Sequence, residues 1–177
     1  MPSGGHFAAM EKPDLLITIV KAVRAAIKIP LTIKIRIQNN ELDFIVAQQI
    51  EQAGADALIV HGRRWVDEYD VDCNLEQIAG IKRRLGIPVI ANGDIGDNLS
   101  LERAFTISGC DGFMIGRAGS GRPWLYQELL QGQAMSPTVD ETIALFMQHL
   151  QGLANLENEF KAVLQSKSLV RYYFRDW

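Results

Sequence analysis

Two hydrophobic rhythms alternate along this chain. Four short runs are almost continuously apolar and rich in β-branched residues: Leu31-Thr-Ile-Lys-Ile-Arg-Ile37, Ala57-Leu-Ile-Val-His61, Pro88-Val-Ile-Ala-Asn92 and Gly112-Phe-Met-Ile-Gly116. Runs of this kind read as strands buried on both faces of a parallel sheet. Between them, apolar residues recur every three or four positions, the spacing of a helix with one buried face. The first such stretch, Pro13 to Lys28, carries Leu16, Ile19, Val20, Val23 and Ile27, with Pro13 suited to the first helical position. The second runs from Glu41 to Ala53, with Leu42, Ile45, Val46 and Ile50 expected inward and Gly54 as its stop. A third covers Leu75 to Leu85, and a fourth Leu99 to Ser108.

The unit repeats as helix, glycine stop, strand, polar loop. Gly54-Ala55-Asp56 and Gly109-Cys110-Asp111 even enter their strands with similar wording. Strand starts at 31, 57, 88 and 112 are separated by 26, 31 and 24 residues, against roughly 31 per unit in a (β/α)₈ barrel. The expected class is therefore α/β, of the (β/α)₈ TIM-barrel type, with about four βα units, a half barrel, over residues 1–134. The tail reads differently. Ser136-Pro137 breaks the repeat, Thr138-Val-Asp-Glu141 has the form of a capping box, and Ile143, Phe146, Leu150 and Leu153 form a helical stripe. A second helix is expected from Leu156 towards Phe174, so residues 135–177 read as the start of an all-helical segment.

Composition narrows the classes. No apolar run approaches the ~18 residues of a bilayer span, and the opening Met-Pro-Ser-Gly-Gly-His lacks a signal peptide's basic and apolar regions. A net charge of −3 argues against a wholesale basic wrapper for nucleic acid while leaving room for a local patch. The two cysteines, Cys73 and Cys110, have no metal-type spacing, so no metal is expected and a reduced, cytoplasmic setting is the default. Cys110, just before a strand, is expected in the core, and Cys73, in the loop from Val66 to Asn74, as a surface thiol.

In parallel α/β folds the loops after the strands face a common crevice. The first strand carries Lys34 and Arg36 two residues apart, hence on one side, and cations inside an apolar strand are costly unless they meet an anion. The second ends His61-Gly62-Arg63-Arg64, where glycine would let a ligand approach the backbone. The third ends Asn92-Gly93-Asp94-Ile95 and the fourth Gly116-Arg117-Ala118-Gly119, small residues whose backbone N–H groups, with Arg117, suit a phosphate. These residues alone imply a phosphorylated ligand at the carboxyl ends of the strands and leave the chemistry open.

Taken in order, Thr32-Ile-Lys-Ile-Arg36, Ala57-Leu-Ile-Val-His-Gly-Arg63, Pro88-Val-Ile-Ala-Asn-Gly-Asp-Ile95, Gly112-Phe-Met-Ile-Gly-Arg-Ala118 and Gly121-Arg-Pro-Trp124 closely resemble the tRNA-dihydrouridine synthases. The resemblance implies an FMN-dependent barrel followed by a helical domain that grips tRNA, reducing the C5–C6 bond of uridine with NADPH recharging the flavin. It implies that Lys34 contacts the flavin ring and stabilises negative charge there, and that His61 lies beside the flavin and the uracil. Asn92, Gly93 and Asp94 would bind the ribityl-phosphate region, and Gly116 with Arg117 the phosphate. Arg36 would meet the target base or its phosphate, with Arg63 and Arg122 as further RNA contacts.

The departures from the family pattern carry their own expectations. The family's general acid is a cysteine in an Asn-x-x-Cys-Pro motif before the first helix, whereas Gly4-Gly5-His6-Phe7-Ala8-Ala9 looks like the stretch that follows it. Neither Cys73 nor Cys110 stands in that context, and Asp70 replaces the usual glycine after Tyr69. The expectation is a truncated chain, inactive alone, whose open sheet leaves it either marginally stable or associated, with the barrel's amino-terminal half or with a second copy in a homodimer. Two other classes stay open at this point: another phosphate-binding flavin barrel enzyme, and a non-catalytic RNA-binding or assembly module. The second would use Lys161, Lys167, Arg171 and Arg175 among Tyr172, Tyr173, Phe174 and Trp177.

Overall fold

The computed structural model describes residues 12–68 and 70–175. The readings above that concern Gly4 to Ala9, Tyr69 and Trp177 fall outside them. The chain divides into two compact units, one running up to Ile95 and resuming over Leu99–Ile115, the other formed by Gly96–Asn98 and the residues from Gly116 onward. The division therefore falls before the Ser136-Pro137 break from which the sequence pattern was parted.

The first unit alternates helix and strand: α1 (Pro13–Ala26), β1 (Thr32–Arg36), α2 (Leu42–Gln52), β2 (Ala57–His61), α3 (Leu75–Lys82), β3 (Val89–Asn92), α4 (Asn98–Ser108) and β4 (Gly112–Met114). The four strands form one parallel sheet in sequence order, half the strand complement of a closed (β/α)₈ barrel. One face of the sheet is buried through Ile35, Leu58, Val60, Val89 and Ala91. Ile33, on that same face, packs on a cluster of Val20, Leu31 and Ala53 with Leu16, Ile17 and Ile27. The helices therefore lie on this side.

The repeated Gly-x-Asp wording has a structural cause. Asp56 donates its N–H to the Leu31 carbonyl while its carboxylate accepts the Leu31 N–H and pairs with Arg24 at 2.8 Å. Asp111 does the same one repeat later, donating to the Val89 carbonyl, accepting the Val89 N–H and pairing with Lys82 at 2.7 Å. Each aspartate latches the start of its own strand to the start of a neighbour. Glu51 anchors the entry to β3 from α2, its Oε1 accepting the N–H groups of Gly86 and Ile87.

Helix patterning is obeyed only in part. Val20, Val46 and Ile50 are buried, but Ile19, Val23, Leu42 and Ile45 of the same expected stripes are exposed. A half barrel has fewer neighbours to cover each helix, so the inward stripe is narrower than the apolar one. β4 is also shorter than expected, since Gly116 already belongs to the turn beyond it.

In the second unit, a 3-10 turn (Arg117–Gly119) and α5 (Leu125–Gln131) precede α6 (Val139–Leu156) and α7 (Glu159–Tyr173). The capping box forms as read, with Thr138 and Glu141 exchanging side-chain to backbone hydrogen bonds. α6 and α7 pack through Phe146 against Tyr173 and Phe174, with His149 Nδ1 3.2 Å from the Tyr173 hydroxyl. Gly121 sits at φ +70° with the Tyr172 and Tyr173 backbone where a Cβ would stand.

Asp43 is fully buried at the start of α2, where its carboxylate accepts the N–H groups of Gln38, Asn39 and Asn40 and the Gln77 amide. This holds the turn that follows β1. Asp43→Ala strands those donors, so urea denaturation should show a loss of about 3 kcal/mol.

Candidate functional site

In-register parallel pairing gathers the strand ends. Arg36 lies opposite His61, His61 opposite Asn92, and Asn92 opposite Met114, forming a single cross-strand row. Neighbours in such a row stand roughly 4.8 Å apart. Lys34 lies one pleat below, in the row of Ile59, Ile90 and Gly112. Both rows belong to the face opposite the helix-packed one, because side chains alternate along each strand. Lys34 is exposed and His61 half-buried. The sheet thus brings Lys34, Arg36, His61 and Asn92 together at its carboxyl end.

The electrostatics there are cationic. Partial desolvation of its ammonium against the sheet, and then the neighbouring Arg36, push Lys34 below its usual value although the residue as a whole is exposed. His61 falls to about 4, first through burial and then through Arg36, Lys34 and Arg63. Its imidazole is therefore neutral at pH 7. The Arg63 backbone N–H donates to His61 Nδ1 at 3.2 Å, which leaves the ring proton on Nε2. His61 presents a neutral N–H donor. The Arg36 guanidinium reaches the Arg64 carbonyl at 3.2 Å. Asn92 is buried and its amide donates to the Met114 carbonyl at 2.8 Å, tying β3 to β4.

The loop after β2 departs from expectation in two ways. Cys73 is buried, not a surface thiol, and its Sγ occupies the space a Cβ would need at Gly62 and at Gly93, the latter at φ +130°. The room left by Gly62 is filled by the chain's own sulfur, with none left for a ligand. Burial and Asp94 push this thiol up to about 11. Arg63 is the second case: only 3% exposed, it points inward and offers RNA no guanidinium. Its Nη2 lies 2.6 Å from Asp94 Oδ1, and its Nε donates to the Val71 carbonyl. Asp94, at φ +55°, also accepts the Cys73 N–H at 2.9 Å. A cavity of about 250 Å³ lies beside this pair, with Cys73, Gly93 and Arg103 in its wall. Neither Lys34 nor Arg36 lines it. Cys110 is buried, as expected.

Gly116, Arg117 and Arg122 belong to the second unit. Gly116 precedes the 3-10 turn that Arg117 opens. Arg122 pairs with the buried Glu128 at 2.9 Å and reaches the Gly96 carbonyl. Among the described residues no cluster suited to a metal ion occurs, and no helix is long and apolar enough to cross a membrane.

The family model for Dihydrouridine synthase matches residues 3–176. The chain belongs to the dihydrouridine synthase family. Among its relatives, tRNA-dihydrouridine synthase B of Pseudomonas syringae pv. tomato is 34% identical over 174 residues, covering 94% of this chain and 52% of that protein. The Klebsiella pneumoniae protein of the same name is 32% identical, covering 96% and 55%. tRNA-dihydrouridine(16) synthase of Yersinia pestis is 36% identical over 154 residues, covering 84% and 49%. The chain spans about half the length of the curated relatives it matches. Among solved structures, a phosphonopyruvate hydrolase complex with oxalate and Mg²⁺ shares the fold, with a TM-score of 0.57 at 17% identity over 76% of this chain and 56% of that one.

Within this member of the dihydrouridine synthase family, the shared side of Lys34 and Arg36 was legible because a strand's period fixes it. Asp43 and the inward turn of Arg63 were not, since each depends on a partner distant in sequence. His61 has a measurable signature. Its folded-state pKa is depressed, so the unfolded chain binds the extra proton between pH 6.5 and about 4. That stability is complete above pH 6.5 and is lost as pH falls through the window. Unfolding free energies at pH 7 and pH 4.5 should drop further for the native chain than for His61→Gln.

Proposed function

We propose that this chain contributes the carboxyl-end flavin and uridine surface of a tRNA-dihydrouridine synthase. The observation that carries the reading is the row of Arg36, His61 and Asn92 with Lys34 beneath it, on the face opposite the one buried through Ile35, Leu58, Val60, Val89 and Ala91.

The donor set suits FMN. A flavin ring offers carbonyl and nitrogen acceptors that gain negative charge on reduction, and Lys34 and the His61 Nε2–H are donors without acidic competitors in their rows. Lys34 would hold the N1–C2 edge of the ring, and His61 would orient ring and uracil together. Gly93 and Asp94, with Asn92 fixed between strands, would form the turn along the ribityl chain. Arg36 would neutralise a phosphate or the uracil's developing charge. When bound, FMN supplies the hydride for the uridine C5–C6 bond, with NADPH as its reductant.

The proton on C5 needs an acid. His61 is neutral and a poor one at pH 7, and both cysteines are buried, their thiols raised by burial. The 177 residues acting alone should therefore form dihydrouridine slowly, by about 10²–10⁴-fold relative to a site with a positioned acid.

Two measurements test the reading. Flavin fluorescence titration should show FMN binding that weakens roughly 10–100-fold in Lys34→Ala, the loss of one charged hydrogen bond; equal affinity in both proteins overturns the assignment. Separately, β1 pairs only with β2, and β4 only with β3, among the described residues, leaving two parallel edges. Light scattering at micromolar concentration should therefore give a mass above the 19.7 kDa of one chain.

A further inference from the structure

Arg63 is the most deeply buried cation among the described residues. Its backbone and side chain do separate jobs. The backbone N–H meets His61 Nδ1, while the guanidinium spans from the Val71 carbonyl to Asp94. Asp94 in turn accepts the Cys73 N–H, and Asn74 donates its N–H to the Gly62 carbonyl at 2.8 Å. One ion pair therefore ties the outgoing limb of the loop, at residues 62–63, to its returning limb at 71–74 and to the turn after β3. A cavity of about 250 Å³ lies beside the pair, so one side of it is not packed against other side chains.

We infer that Arg63 is a positioning residue: by pairing with Asp94 it fixes the loop so that the His61 ring is held with its Nε2–H towards the ligand face. This rests on the reading of His61 as a ligand-facing donor, and it departs from an RNA-contacting role for Arg63. The reason is geometric. The Arg63 N–H can reach Nδ1 only while the peptide after Gly62 keeps its orientation; the carbonyl of that peptide accepts the Asn74 N–H, and the adjoining Cys73 N–H is held by Asp94, the partner of the Arg63 guanidinium. Without the pair, the loop relaxes into the adjacent cavity, Nδ1 loses its donor, and both ring tautomers become populated.

Asp94→Asn tests this with almost no change of shape, read by ¹⁵N NMR of the His61 ring across pH 3.5–8. The native chain should show His61 as a single Nε2–H tautomer titrating near 4. In Asp94→Asn the tautomers should mix and the midpoint should rise towards the ordinary 6.5, because the ring becomes hydrated. Simple charge removal predicts the opposite sign, since losing a carboxylate leaves Arg63 uncompensated and lowers the midpoint. Arg63→Lys keeps the cation but cannot span both acceptors, so it should fall between the two; amide spectra of the sheet report that the fold persists. A single tautomer and a midpoint at or below about 4 in both variants would overturn the inference, as would mixed tautomers in the native chain. No flavin is present in this experiment, so failure of the flavin assignment leaves its outcome intact.

Discussion

Everything at the carboxyl end of the sheet depends on the register set at the amino end. Asp56 and Asp111 bond with both main-chain groups of the residue opposite, so β2 cannot slide on β1, nor β4 on β3. A slip of one residue would turn Lys34 and Arg36 into the helix-packed face and bring Ile33 and Ile35 out, exchanging a half-buried and a buried isoleucine for two cations. That alternative is prohibitive. The hydrophobic pattern and the aspartate latches therefore enforce one alignment, and the row of Arg36, His61 and Asn92 is its consequence some four residues away.

The same alignment creates an electrostatic demand. Lys34 and Arg36 stand within reach of each other, and His61 responds by staying neutral. The nearby carboxylates are otherwise engaged: Asp94 with Arg63, Asp67 with Arg64, and Asp43 with backbone N–H groups. Concentrating cations on one face raises its affinity for anions and for polar rings that become anionic during reduction. A second copy of the chain closing the barrel would double these cations, whereas a complement bringing acceptors or an anionic ligand would relieve them.

How far the sequence could be read depended on the range of each interaction. The βα repeat, the capping box at Thr138 and the shared side of Lys34 and Arg36 follow from local periods, and the structure has them. The duplicated Gly-x-Asp wording was visible as a repeat, though its latching purpose was not, because the partners Leu31 and Val89 lie more than twenty residues away. Cys73 was misread as a surface thiol for the same reason. Nothing near it in sequence reveals that Gly62 and Gly93 leave a gap of sulfur size. The exposed Ile19, Leu42 and Ile45 were misplaced because an apolar stripe says which side of a helix prefers burial, without saying how much of it finds a partner.

The sequence by itself determined the class of fold, the order of its elements and the side of each strand on which the cations stand, since backbone periodicity and apolar spacing act over a few residues. Only the tertiary structure decided that Arg63 turns inward to Asp94, that His61 is neutral with its proton on Nε2, and that Cys73 is enclosed. Those outcomes depend on distances between loops brought together by folding. Burial and charge at such a meeting point are properties of the assembled neighbours, and no single segment carries them.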